Sequence, residues 1–237
     1  MTDVLPSKAG SGPRPLDQVV PEPDEYRYPF RIPFGWFQIA WSEEVKPGDV
    51  LPRFYFGRHL VLWRDHHGQA HVNDAFCPHL GGHFGYGGKV VNECQLQCPF
   101  HGWEFDAEGA NTNIPYSERT NNKASVRPYP VREIGDHIIA VWFHPEGAEP
   151  LYELDIPTEM TDPNYGAWTD KHFSVKAAAQ ELAENSVDGP HFRYVHNTEI
   201  VPEIESYESD GYVARMRSVQ QFPTPRGVVD GLSLIHI

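Results

Sequence analysis

The sequence predicts a mainly β first domain of antiparallel sheets with metal-binding loops, followed by the start of an α+β domain. Three observations carry this. Short runs rich in β-branched and aromatic residues recur from Phe34 to His144, separated by Gly, Asp and Pro turn signals. Within that stretch, two loops containing Gly and Pro each set a cysteine beside a histidine. A run of good helix formers occurs only after Lys176, and strand-type sequence resumes beyond it.

Residues 1–32 are rich in Pro, Gly and Ser, have no usable period and read as a flexible arm. Residues 33–147 form the first domain. Its strand-type runs are GWFQIAW from Gly35, RFYF from Arg53 and HLVLWRD from His59, with HHGQ as a turn into AHVNDAF. VREIGDHIIAVWFH, from Val131, reads as a hairpin with Gly135 and Asp136 as its turn. Residues 148–231 form a partial second domain, which opens on an arm containing Pro150, Pro157 and Pro163. A helix follows from Lys176 to Ser186, interrupted by Gly189 and Pro190. IESYES and YVARMRSVQQF then read as strands on either side of a Ser209–Asp210–Gly211 turn. The last six residues, LSLIHI at 232–237, resemble the translation of a transposase adapter end used in sequencing libraries. They are expected to be foreign, with an ordinary apolar strand as the alternative, and the protein's own sequence would then run past Gly231.

The 237 residues are 40% apolar and 13% aromatic, enough for a folded interior. The 19 basic against 33 acidic residues give a net charge of −14, which repels a phosphate backbone or an anionic membrane and excludes nucleic acid as an expected partner. Without a long apolar run or a basic, apolar leader, neither a membrane span nor a signal peptide is expected, and the default location is the cytoplasm. Three cysteines are too few for a disulfide-stapled domain, whereas 13 histidines direct attention to metals.

Cys77-Pro78-His79 and Cys98-Pro99-Phe100-His101 are the first constellation. C-x-H followed some twenty residues later by C-x2-H suits a Rieske-type 2Fe-2S cluster, in which two thiolates hold one iron and two neutral imidazoles the other. Cys77 and Cys98 would bind the inner iron, and His79 and His101 the outer. A structural zinc is the alternative, but zinc fingers usually separate cysteines and histidines into different knuckles. Cys94 reads as a core thiol, His83 as a packing or exposed residue, and His66, His67 and His71 as turn or surface residues.

The second constellation runs from Glu184 to His196. On a regular helix His191 and His196 would lie about 140° apart and would not converge on one ion, but the Gly189–Pro190 break offers a way to re-aim them. With one carboxylate they would make the two-histidine facial triad of a non-haem iron site, which leaves coordination positions open for oxygen. The alternative is a partly buried helix end with two satisfied histidines.

DAFCPHLGGHFGY from Asp74 and QCPFHGWEF from Gln97 resemble the Rieske domain of oxygenases. Gly82 and Phe100 stand where cytochrome bc-type Rieske proteins carry extra cysteines, so the resemblance implies the low-potential kind, at roughly −150 mV. E-N-x2-D-x2-H-x4-H, from Glu184, is similar to the mononuclear iron motif of Rieske non-haem iron oxygenases. The resemblance makes His191 and His196 ligands of a mononuclear Fe(II). It makes Asp188 the acid that bridges to a neighbouring subunit's cluster, and Asn185 a polar neighbour of the site. It also implies a third ligand, an aspartate far downstream in a helix-grip domain. Asp210 and Asp230 are the only later aspartates and neither is at the expected distance, so the triad is incomplete and truncation is expected.

The wording around Ile114–Tyr116, KASVRPYPVREIGDHIIAVWFH and ENSVDGPHFRYVH is most similar to the branch of 3-ketosteroid 9-alpha-hydroxylases and cholesterol 7-desaturases. That branch implies a terminal oxygenase component of a mono-oxygenase, fed by a ferredoxin or ferredoxin reductase. It would use O2 on a bulky hydrophobic, steroid-like substrate and assemble as a head-to-tail homotrimer. An aromatic substrate, a Rieske electron carrier and an inactive oxygenase fragment stand as alternatives.

Overall fold

The computed structural model describes residues 32–154, 162–166 and 173–236, so the expected N-terminal arm lies outside the described residues except for its last position. The chain divides into two compact units, one ending at Tyr165 and the other starting at Gly166.

In the first unit, β1 (Gly35–Trp41) pairs with β11 (Ile138–Phe143), which pairs with β10 (Val131–Ile134). A four-stranded sheet follows the order β2 (Val50–Tyr55), β3 (Arg58–Arg64), β4 (Ala70–Asp74), β9 (Pro128–Tyr129). A second one is made of the very short β5 (Lys89–Val91), β6 (Gln95–Gln97), β7 (Glu104–Phe105) and β8 (Asn111–Asn113). All these pairings are antiparallel, as expected.

β3 explains why the sheets stack. Its side chains alternate in direction, and both sets are apolar, so both faces are buried. Leu60 and Leu62 enter a core with Ile39, Val72, Ile139 and Val141, whereas Val61 and Trp63 enter a second core with Phe84, Leu96, Trp103 and Phe105. The second core lies directly beneath the cysteine and histidine loops, because Cys77 and Cys98 belong to it.

Gly135 and Asp136 both take positive φ, 57° and 52°, the two-residue turn read from the sequence. Just before that turn, Glu133 in β10 accepts two hydrogen bonds from Arg64, at 2.8 and 2.9 Å. Arg64 also donates to the Val45 carbonyl at 2.7 Å, so one buried guanidinium joins two sheets and a loop. Tyr152 packs on Trp142 and its carbonyl accepts from Trp36 Nε1, which fastens the start of the proline arm to the first unit.

The second unit holds α1 (Ala179–Val187), α2 (Gly189–Tyr194) and a sheet in the order β12 (Glu203–Ser209), β13 (Ala214–Thr224), β14 (Gly227–His236). Gly189 and Pro190 end one helix and begin another. Proline suits that first turn, where its missing N–H would have had no intrahelical partner. Leu232–His236, expected to be foreign, continues β14 in pairing with β13, up to the Arg215–His236 pair.

Candidate iron centres

The two cysteine loops are built alike. Gly81 N–H donates to the Cys77 carbonyl at 2.9 Å, and Gly102 N–H donates to the Cys98 carbonyl at 3.0 Å. Cys77 N–H donates to Gly82 and Cys98 N–H to Trp103, both at 2.8 Å, so each loop closes on its own cysteine. Gly81 and Gly102 sit at φ 73° and 71°, the left-handed region that glycine enters without a Cβ clash. A Cβ on Gly82 would lie 2.9 Å from Cys98 Sγ, so that glycine makes the approach of the two loops possible.

This brings all four expected ligands to one place. The Cys77 S–H donates to Cys98, which pushes the Cys77 thiol up. The same hydrogen bond, aided by the Phe100 and His101 backbone amides, lowers the Cys98 thiol. The His79 and His101 rings meet with centroids 4.7 Å apart. His79 Nδ1 is buried without a hydrogen-bond partner, an orphan that a ligated metal satisfies. Among the described residues, no three of these four donors fall within 4.8 Å of one another. A single zinc ion needs its donors on one small sphere, whereas two irons spread them out. The residues therefore fit a 2Fe-2S cluster better than one zinc.

Sequence reasoning missed the walls of this site. Trp103 stacks flat on His79, 4.5 Å between centroids at 5°, and donates its Nε1–H to Tyr116 at 2.6 Å. Both residues stand in quoted motifs, but only the fold gives them a shared role. His83 is a packing residue, set against Phe76, His59 and Tyr86, and burial holds its ring toward the neutral form. Leu80 and Phe100 on the same loops, and Tyr116 just beyond β8, are exposed.

In the second unit the structure resolves the helical-spacing problem. α2 stops at Tyr194, where the Val195 N–H caps the His191 carbonyl, so His196 leaves the helix and turns back. The two rings lie 5.1 Å apart, and His196 packs on Phe192. His191 Nδ1 faces Asp188, whose main-chain oxygen it meets and whose carboxylate lies at 3.9 Å, while its Nε2 is buried without a partner. Asp188 thus occupies the nitrogen away from the free donor. Asn185 is exposed on α1.

Asp210 accepts the Val213 N–H and Asp230 accepts from Gln221, so neither is brought to the histidine pair. The donor set, two imidazoles with one orphaned nitrogen, fits a mononuclear iron.

Residues 35–130 match the Rieske 2Fe-2S domain family, and residues 141–229 match the 3-ketosteroid 9alpha-hydroxylase C-terminal domain. Cholesterol 7-desaturase nvd 1 of Ciona intestinalis is 37% identical over 165 residues, 70% of this chain and 35% of that protein. The oxygenase component of 3-ketosteroid-9-alpha-monooxygenase from Rhodococcus rhodochrous is 32% identical over 205 residues, 84% of this chain and 53% of that protein. The chain thus spans between a third and just over half of these relatives' length. Among solved structures, dicamba monooxygenase bound to dicamba aligns with a TM-score of 0.65 at 25% identity, covering 85% of this chain and 62% of that one. A form of that enzyme with non-heme iron and dicamba aligns at 0.61. With a paired cysteine and histidine cradle in its first unit and a converging histidine pair in its second, the chain belongs to the Rieske non-haem iron oxygenases, on their 3-ketosteroid hydroxylase and cholesterol desaturase side.

Proposed function

We propose that the chain serves as the terminal oxygenase component of a multicomponent mono-oxygenase acting on a bulky, hydrophobic, steroid-like substrate. The observation that carries this reading is the histidine pair with its orphaned Nε2, in a segment matching the 3-ketosteroid 9alpha-hydroxylase C-terminal domain. An electron carrier with a Rieske domain alone has no use for such a pair.

When bound, the 2Fe-2S cluster supplies single electrons and the mononuclear iron supplies oxygen activation. The chain's residues do the positioning. Trp103 fixes the plane of His79, and the Trp103–Tyr116 hydrogen bond fixes Trp103. Asp188 meets His191 Nδ1 so that Nε2 stays the free donor, and on this reading it passes on the electron arriving from a neighbouring subunit's cluster histidine. The exposed Leu80, Phe100 and Tyr116 beside the cluster ligands are suited to contact that neighbour or an electron-donor protein. On this reading the protein works in the cytoplasm as a head-to-tail homotrimer, supplied by a ferredoxin or ferredoxin reductase. No helix among the described residues is long and apolar enough to cross a membrane.

The test supplies purified protein with NADPH, a ferredoxin reductase, a ferredoxin and a panel of 3-ketosteroids, sterols and aromatic acids. Steroid-dependent NADPH oxidation with an oxygenated or desaturated steroid product is expected. Turnover confined to aromatic acids would overturn the substrate class. Reduction of the cluster without turnover of any substrate would overturn the oxygenase reading in favour of an electron carrier.

A further inference from the structure

Three side chains that the iron sites do not use converge at the turn of the β5–β6 hairpin. Asp65 opens the turn between β3 and β4, where its Oδ1 accepts the Gln69 N–H at 2.8 Å, leaving Oδ2 to face His71 Nε2 at 3.0 Å. Cys94 Sγ lies 3.8 Å from the same nitrogen. All three donor atoms lie within 4.8 Å of one another, and Asp65 is buried while His71 and Cys94 are half-buried. The Trp63 ring covers His71 at 4.4 Å. Cys94 ends the turn between β5 and β6, and its neighbour Glu93 accepts the His66 N–H at 2.9 Å, which ties the two turns together. His71, read from sequence as a turn or surface residue, is in fact a β4 side chain aimed at this cluster.

We propose that Asp65, His71 and Cys94 form a separate metal site that takes a zinc ion. The arrangement argues against a nucleophilic relay. In such a relay the carboxylate and the thiol use opposite nitrogens of the imidazole, whereas here both meet Nε2. Donors that share a focus are what a metal needs. Tetrahedral zinc at its usual bond lengths separates N from O by about 3.3 Å and N from S by about 3.5 Å. The observed 3.0 and 3.8 Å bracket these values. The Gln69 amide on Asp65 Oδ1 is the kind of outer contact that orients a ligand carboxylate.

Burial and the nearby Asp65, Asp106 and Glu108 keep the free thiol protonated, so it is a poor nucleophile, and the same negative surroundings favour a divalent cation. Binding exchanges the Cys94 proton for zinc and releases it to solvent. A mixed O, N, S donor set suits zinc better than magnesium or calcium, which prefer oxygen. The ion would join the β3–β4 turn to the hairpin that leads into the Cys98 loop. It would stiffen the cluster cradle from behind, and this holds whatever substrate the second unit serves.

The test uses holo-protein carrying His191→Ala and His196→Ala, which removes the other histidine pair, with and without Cys94→Ser or Asp65→Asn. After equilibration with zinc sulfate and gel filtration, metal content is read by mass spectrometry and coordination by zinc K-edge absorption. The parent is expected to hold about one zinc with a single sulfur at about 2.3 Å. Each added substitution should remove it while the cluster's visible spectrum persists. Equal zinc in parent and variants would overturn the proposal, as would two sulfurs per zinc, which would place the ion in the Cys77 and Cys98 loops. Should both variants fail to fold, the parent's sulfur count still decides: no one-sulfur zinc, no site.

Discussion

Gly82 and Asp188 show what single residues do in this chain. A methyl group on Gly82 would press into Cys98 Sγ and the Phe100 Cβ, at 2.9 and 3.0 Å, and the backbone of neither loop is free to retreat. Gly82→Ala is therefore expected to lower cluster occupancy severalfold in freshly purified protein, measured by visible absorption, with the second unit's iron unaffected. Asp188→Ala is expected to keep both metals but slow oxidation of the reduced cluster during single turnover by at least tenfold. Normal single-turnover rates in that variant would remove Asp188 from the electron path. The four expected cluster ligands, which the structure brings together, stood out in the sequence because thiolate, imidazole, proline and glycine at fixed spacing leave few other readings. The pairing of His191 with His196 came from the motif's resemblance and not from helix geometry, since their convergence depends on α2 stopping at Tyr194. Nor was the grouping of Asp65, His71 and Cys94, which lie on three turns and strands and meet only when two sheets fold together.

At the scale of elements, β3 is the organising strand because it is apolar on both faces and carries Arg64 at its end. The Arg64 guanidinium holds the Glu133 carboxyl below the usual carboxylate range, so this contact adds stability at neutral pH. That contribution is complete above the ordinary carboxylate range and is lost as pH falls through Glu133's lowered value. Glu133→Gln leaves a mostly buried guanidinium without its anion, and is expected to destabilise the first unit by about 1.5–3 kcal/mol at pH 7. Chemical denaturation at pH 7 and at pH 3 checks this: the difference between the two proteins should shrink in acid. The longer strands and the Gly135–Asp136 hairpin were readable from alternation and turn residues. β5 to β8, which carry the loops into register, were not, because two or three residues hold too little pattern to read.

At the scale of the whole molecule, the chain joins two units with different tasks, one presenting four donors for a two-iron cluster and the other a histidine pair. The composition pointed to metals, and the motifs pointed to the family. The substrate was not legible, because pocket walls come from residues scattered through a fold. The most direct measurement is iron and acid-labile sulfide per chain, in the parent and in the His191→Ala, His196→Ala double variant, after anaerobic reconstitution. The expected result is about three irons and two sulfides in the parent, falling to about two of each in the variant with the reduced cluster's paramagnetic resonance unchanged. Equal iron in both proteins would contradict an iron site at the histidine pair and leave an electron carrier in place of an oxygenase.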